Sequence, residues 1–74
     1  MKYLVIEEKH LSVKKALTVI RQYYPDVKWP HFKNRQPQFY FPKSELTKEN
    51  VVRIAKQLGM EVIKNYGVRA VIRY

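Results

Sequence analysis

The sequence predicts an α+β domain, a two-layer sandwich with two helices on one face of an antiparallel sheet of four or five strands. Three observations lead there. β-prone runs stand near both ends of the chain, Leu4-Val5-Ile6 and Val68-Arg69-Ala70-Val71-Ile72. Two stretches, beginning at Ser12 and Thr47, repeat apolar residues at helical spacing. Between them lies an aromatic segment, Gln38-Phe39-Tyr40-Phe41, whose phenylalanines alternate like the inward face of a strand.

Residues 2–8 form the first expected strand, since no helical period fits Leu4-Val5-Ile6. Ser12 is then a helix N-cap, with Leu11 before it as a staple partner. Val13, Ala16, Leu17, Ile20, Tyr23 and Tyr24 make one apolar stripe, which Pro25 ends. Residues 27–42 suggest a hairpin. Its arms are Val27-Lys28-Trp29 and Gln38-Phe39-Tyr40-Phe41, joined by Lys33-Asn34-Arg35-Gln36-Pro37. Pro30 cannot donate to a ladder, so the first arm is expected at an edge or partly irregular. Thr47 caps the second helix, with Glu49 in its first turn. Val51, Ile54, Ala55 and Leu58 form its buried stripe, and Gly59 followed by Met60 is a left-handed C-cap. The tail predicts two strands, 61–64 and 68–74, around a turn at Asn65-Tyr66-Gly67.

The resulting order is β-α-β-β-α-β-β. Merging the last two strands would give the ferredoxin-like order, which RNA-recognition motifs share. The order is also similar to that of small βαβαββ nucleic-acid binders such as the chromatin protein Alba.

At 74 residues, residues 1–74 make a single basic domain, with room for one core only. It has no cysteine, so neither a disulfide framework nor a thiolate metal site supports it. No apolar run approaches the roughly 18 residues of a membrane span. Glu7 and Glu8 interrupt the N-terminal apolar run too early for a signal peptide. A cytoplasmic location follows as the expectation. Fifteen Lys and Arg against six Asp and Glu give a net charge of +9, which calls for a polyanionic partner.

The residues that would meet such a partner fall in two groups. The span between Asp26 and Glu45 holds no acid. It interleaves Lys28, Lys33, Arg35 and Lys43 with Trp29, His31, Phe32 and Tyr40. Cations neutralise phosphates while aromatic faces stack on unpaired bases, which suits RNA or single strands. The second group is Arg69 and Arg73, alternating with the apolar residues of the last strand, together with Lys64 on the strand before. If Ala70 and Ile72 face the helices, both arginines stand on the open sheet face. The helix cations Lys14, Lys15, Arg21, Lys48, Arg53 and Lys56 are expected to be a solvated outer surface.

Nothing in the chain assembles a catalytic constellation. His10 and His31 are the only histidines, and the only glycines, Gly59 and Gly67, form no phosphate-cradling loop. No metal and no cofactor is expected, and the chain is not expected to be an enzyme. One catalytic alternative remains, a metal-independent ribonuclease toxin using His31 as general base. Residues 41–46 and 50–60, Phe41-Pro42-Lys43-Ser44-Glu45-Leu46 and Asn50 through Met60, are similar to the C-terminal part of HicA-type toxins. That resemblance implies a double-stranded-RNA-binding-like fold and messenger-RNA cleavage. In those toxins the active histidine follows glycine-serine, whereas His31 follows Trp29-Pro30, so the similarity does not extend to the catalytic position.

The function expected is therefore non-catalytic nucleic-acid binding, with RNA or single strands favoured over duplex DNA. The alternative is a protein-interaction module of the phage or mobile-element type, docking on an acidic protein. A homodimer is a further candidate, through an exposed edge at residues 27–32 or at the C-terminal strand.

Overall fold

The computed structural model describes residues 2–41, 46–65 and 68–74. Its elements are β1 (Lys2–Glu7), α1 (Val13–Arg21), β2 (His31–Lys33), β3 (Gln36–Phe41), α2 (Lys48–Gln57), β4 (Glu61–Asn65) and β5 (Arg69–Arg73). The five strands make one sheet in the order β2-β3-β1-β5-β4. The α+β class and the two helices stand as the sequence predicts. The turn expected at Asn65-Tyr66-Gly67 falls partly outside the described residues.

The sheet is mixed, which corrects the expectation of an antiparallel one. β1 pairs with β3 antiparallel but with β5 parallel. The cause is the terminal hairpin, β4 and β5. Its second strand, not its first, docks beside β1. The residue pattern explains the choice. Ala70-Val71-Ile72 is apolar on both faces and tolerates a central place. β4 exposes Glu61, Lys64 and Asn65, which belong at an edge. The C-terminal strand is therefore internal, and it is not the edge expected for dimerisation. Among the described strands the edges are β2 and β4.

The helices begin and end where their caps dictate. The Ser12 hydroxyl accepts from the Lys15 N–H at 3.3 Å, and the Thr47 hydroxyl accepts from the Asn50 N–H at 3.2 Å. At the end of α2, Gly59 takes φ +72°. The Met60 N–H then bonds the Ala55 carbonyl at 2.7 Å and the Gly59 N–H bonds the Lys56 carbonyl at 3.2 Å, a Schellman closure. It turns Met60 inward, where it is buried.

Leu4 and Ile6 of β1, Phe39 and Phe41 of β3, and Ala70 and Ile72 of β5 form one cluster with the helices' Ala16, Leu17, Ile20, Val51, Ile54, Ala55 and Leu58. Both helices thus cover the same sheet face. Tyr24, just past α1, meets Phe41 edge-on at 4.7 Å between ring centroids. Its hydroxyl accepts from the Thr47 N–H at 3.2 Å and from Asn50 Nδ2 at 3.0 Å, tying the end of α1 to the start of α2.

The hairpin differs from expectation in its first arm. β2 begins at His31, and Val27-Lys28-Trp29 is not a strand. The Val27 N–H bonds the Tyr24 carbonyl at 3.1 Å, and its own carbonyl accepts from Arg21 Nε at 3.0 Å. Those bonds hold residues 24–27 in a turn against α1, and Pro30 has no N–H to offer a ladder. The turn itself has two residues, Asn34 and Arg35, both left-handed at φ 54° and 64°. That is the twist a two-residue hairpin requires. Pro37 sits within β3, where the ladder with β1 extends from Lys2↔Phe41 only as far as Val5↔Gln38. Pairing with β1 stops just short of the residue that has no N–H.

Candidate functional site

Side chains alternate across a strand, so the residues between the core positions share the other face of the sheet. The register assembles them into rows. Tyr40 of β3 lies opposite Tyr3 of β1, which lies opposite Arg69 of β5. His31 of β2 lies opposite Gln38, which lies opposite Val5, then Val71, then Lys64 of β4. Glu7 lies opposite Arg73. Lys64 reaches this face because of a bulge between Val62 and Lys64, after which Lys64 pairs with Val71.

The centre of this face has an apolar floor. Val5 is 0% exposed and Val71 4% exposed, yet neither belongs to the core cluster beneath the helices. Taller neighbours surround them: Tyr3 and Glu7 along β1, Arg69 and Arg73 along β5, Gln38 across β3.

One side of the face is aromatic. The Tyr3 and Tyr40 rings lie 5.4 Å apart, tilted by 32°. His31 meets Tyr40 edge-on at 5.2 Å. The Tyr40 hydroxyl donates to Gln38 Oε1 at 3.1 Å, which fixes the tilt of its ring. Trp29 stands at the end of this row and is 54% exposed. Together with Asp26, Lys28, His31 and Tyr40 it lines a notch of about 160 Å³. The geometry offers flat apolar faces beside cations, the surface on which an unpaired base stacks.

The other side is cationic. Glu7, Ile63, Lys64, Arg69, Val71 and Arg73 line a depression of about 290 Å³. Arg73 and Glu7 approach to 3.9 Å. Arg69 Nε is buried and has no hydrogen-bond partner.

The structure thus unites most of the expected residues. Lys28, Trp29, His31 and Tyr40 gather at the notch, and Lys64, Arg69 and Arg73 at the depression. Lys33 pairs with Gln36 on the same open face. Arg35 stands apart at the turn, beside Glu7, Glu8, Lys9, Asn34 and Gln36. Phe32 separates from the group. It pairs with Pro37, in step with Phe39 and Phe41, and so points to the helix side of the sheet, where it is 54% exposed. A ligand lying on the open face does not reach it. Lys43 lies outside the described residues. The helix cations Lys14, Lys15, Arg21, Lys48, Arg53 and Lys56 are exposed, as a solvated outer surface requires.

Tyr3, Glu7 and Glu61 of this face escaped the sequence reading. Tyr3 hides in an unbroken apolar run, and only its register with Tyr40 and Arg69 shows that it continues the aromatic row. Glu7, and Glu61 opposite Arg73 on the other side, bring acids into a patch that looked purely basic. The alternation of Glu7 with Tyr3 and Val5 was the available signal.

Among the described residues, no group of three or more His, Cys, Asp or Glu could hold a metal ion, and no helix is long and apolar enough to cross a membrane. In comparisons with known proteins, no family model, no curated sequence and no solved structure matches the chain.

Proposed function

We propose that the chain binds RNA or another single-stranded nucleic acid on the open face of its sheet, without catalysing a reaction on it. One observation carries this reading: the continuous row His31, Tyr40, Tyr3, Arg69, which crosses four elements of the sequence and ends on a guanidinium. Stacking platforms with a cationic border bind single strands with little sequence preference. The bases lie over Tyr40, Tyr3 and the Trp29 notch, and Lys28, Lys33, Lys64, Arg69 and Arg73 supply phosphate contacts. The net charge of +9 adds long-range attraction.

Fluorescence anisotropy with a labelled single strand and the matching duplex tests the reading. The single strand is expected to bind more tightly. Tyr40→Leu keeps an apolar side chain beside Tyr3 but removes the flat face. It should weaken single-strand binding by about 1–3 kcal/mol, with little dependence on salt. If a folded Tyr40→Leu variant binds the single strand as the parent does, stacking on this row is wrong. If neither nucleic acid binds at low salt, the partner is an acidic protein surface instead.

A further inference from the structure

The buried Arg69 Nε carries an N–H with no acceptor, an arrangement that folded proteins rarely leave without a reason. The guanidinium it belongs to lines the depression between β1, β4 and β5. Among the described residues, Lys64 and Arg73 line the same depression and Glu7 is its one acid: three cations against one carboxylate, a net +2. Glu7 is engaged with Arg73 at 3.9 Å and leaves Arg69 to itself. Val71 and Ile63 complete the lining with apolar surface.

We propose that this depression is a pocket for a phosphate monoester, the terminal phosphate of the bound strand. An internal phosphodiester carries a single negative charge, whereas a monoester carries about −1.5 to −2 near neutral pH, which matches the +2 of the pocket. A guanidinium presents its N–H groups as a planar fork, and Arg69, whose buried Nε holds no partner, is free to turn that fork towards a phosphate oxygen in the depression. The aromatic row begins beside Arg69 at Tyr3, so an end held here leads the next bases onto Tyr3 and Tyr40. The inference rests on the single-strand reading for the strand but not for the phosphate.

Two measurements test it. The first follows the Arg69 Nε–H resonance by NMR, assigned by its loss in Arg69→Lys, while inorganic phosphate is added. A phosphate-dependent shift is expected. The second compares hexauridylate carrying a 5′-phosphate, a 3′-phosphate or hydroxyls at both ends. One phosphorylated form should bind about tenfold more tightly than the hydroxyl form, the worth of one charge-assisted hydrogen bond. In Arg69→Lys that ratio should collapse towards one, and in Glu7→Gln it should rise, because the competing carboxylate is gone. Glu7→Gln keeps the test informative if Arg69→Lys folds poorly. Equal binding of all three strands, with the Arg69 resonance unmoved, overturns the pocket and leaves the strand reading standing. A shifted resonance with no strand bound overturns the strand reading and keeps the phosphate. No shift and no binding overturn both.

Discussion

Arg35→Gly should make the protein more stable while leaving binding on the open face nearly unchanged. Arg35 occupies the second position of a two-residue turn and holds φ at 64°. In an L-residue the left-handed region brings Cβ against the carbonyl, at about 1–2 kcal/mol. Glycine removes that strain but widens the unfolded ensemble, which offsets about 0.4–1 kcal/mol. A net gain of roughly 0.5–1 kcal/mol follows from these two terms. For a domain of this length that raises Tm by about 2–8 °C. Arg35 is exposed, so little packing is lost with its side chain. Thermal melting by circular dichroism is the assay, with Arg35→Ala as the companion. Alanine removes the same guanidinium but keeps Cβ, and it should show no gain. If glycine melts no higher than alanine, the strained turn is wrong. In anisotropy both variants should bind the single strand nearly as the parent does, because Arg35 stands apart from the open face. A slope of log K against log salt flattened by about 0.7–0.9 in both variants would show instead that the turn touches a phosphate.

Three other outcomes bear on the fold and the face. Leu58 is 5% exposed against the core, so Leu58→Ala should cost about 2–5 kcal/mol in chemical denaturation. Gly59→Ala should cost about 1 kcal/mol from its φ of +72° alone, since the added Cβ would meet only Tyr74 Cε1 at 3.8 Å; a much larger loss would mean a steric clash instead. Binding of a single strand should fall with salt at a log–log slope of about −3 to −4, and a slope near zero would exclude backbone contact.

The local elements were legible because their signals are local. Ser12 and Thr47 each place a hydroxyl where an orphan N–H must be met, and both do so in the structure. Gly59 and Met60 close α2 as their types suggest. The alternation of Arg69 and Arg73 with Ala70 and Ile72 correctly put the arginines on the open face. Long-range pairing was not legible. Whether β4 or β5 lies beside β1 depends on burial of both faces of Val71, which alternation with arginines obscures. The same limit hid Tyr3, since a residue's neighbours across a sheet follow from register and not from its own segment. Phe32 parts from His31 because adjacent residues of a strand face opposite sides of the sheet, which grouping by composition overlooks.

The pairing of β1 with β5 also sets a timetable for synthesis. Tyr3 and Arg69 are partners across the middle of the sheet, yet nearly the whole chain separates them. At about 5–20 residues per second, β1 leaves the ribosome several seconds before its partner exists. Throughout that interval the flank of Leu4-Val5-Ile6 that β5 will pair stays open, because β3 lies on the other side of β1. The domain therefore completes itself after translation has passed β5, not progressively. A chain stopped before Arg69 would lack a central strand instead of a trimmed margin, and quality-control proteases should meet it as an unfolded substrate.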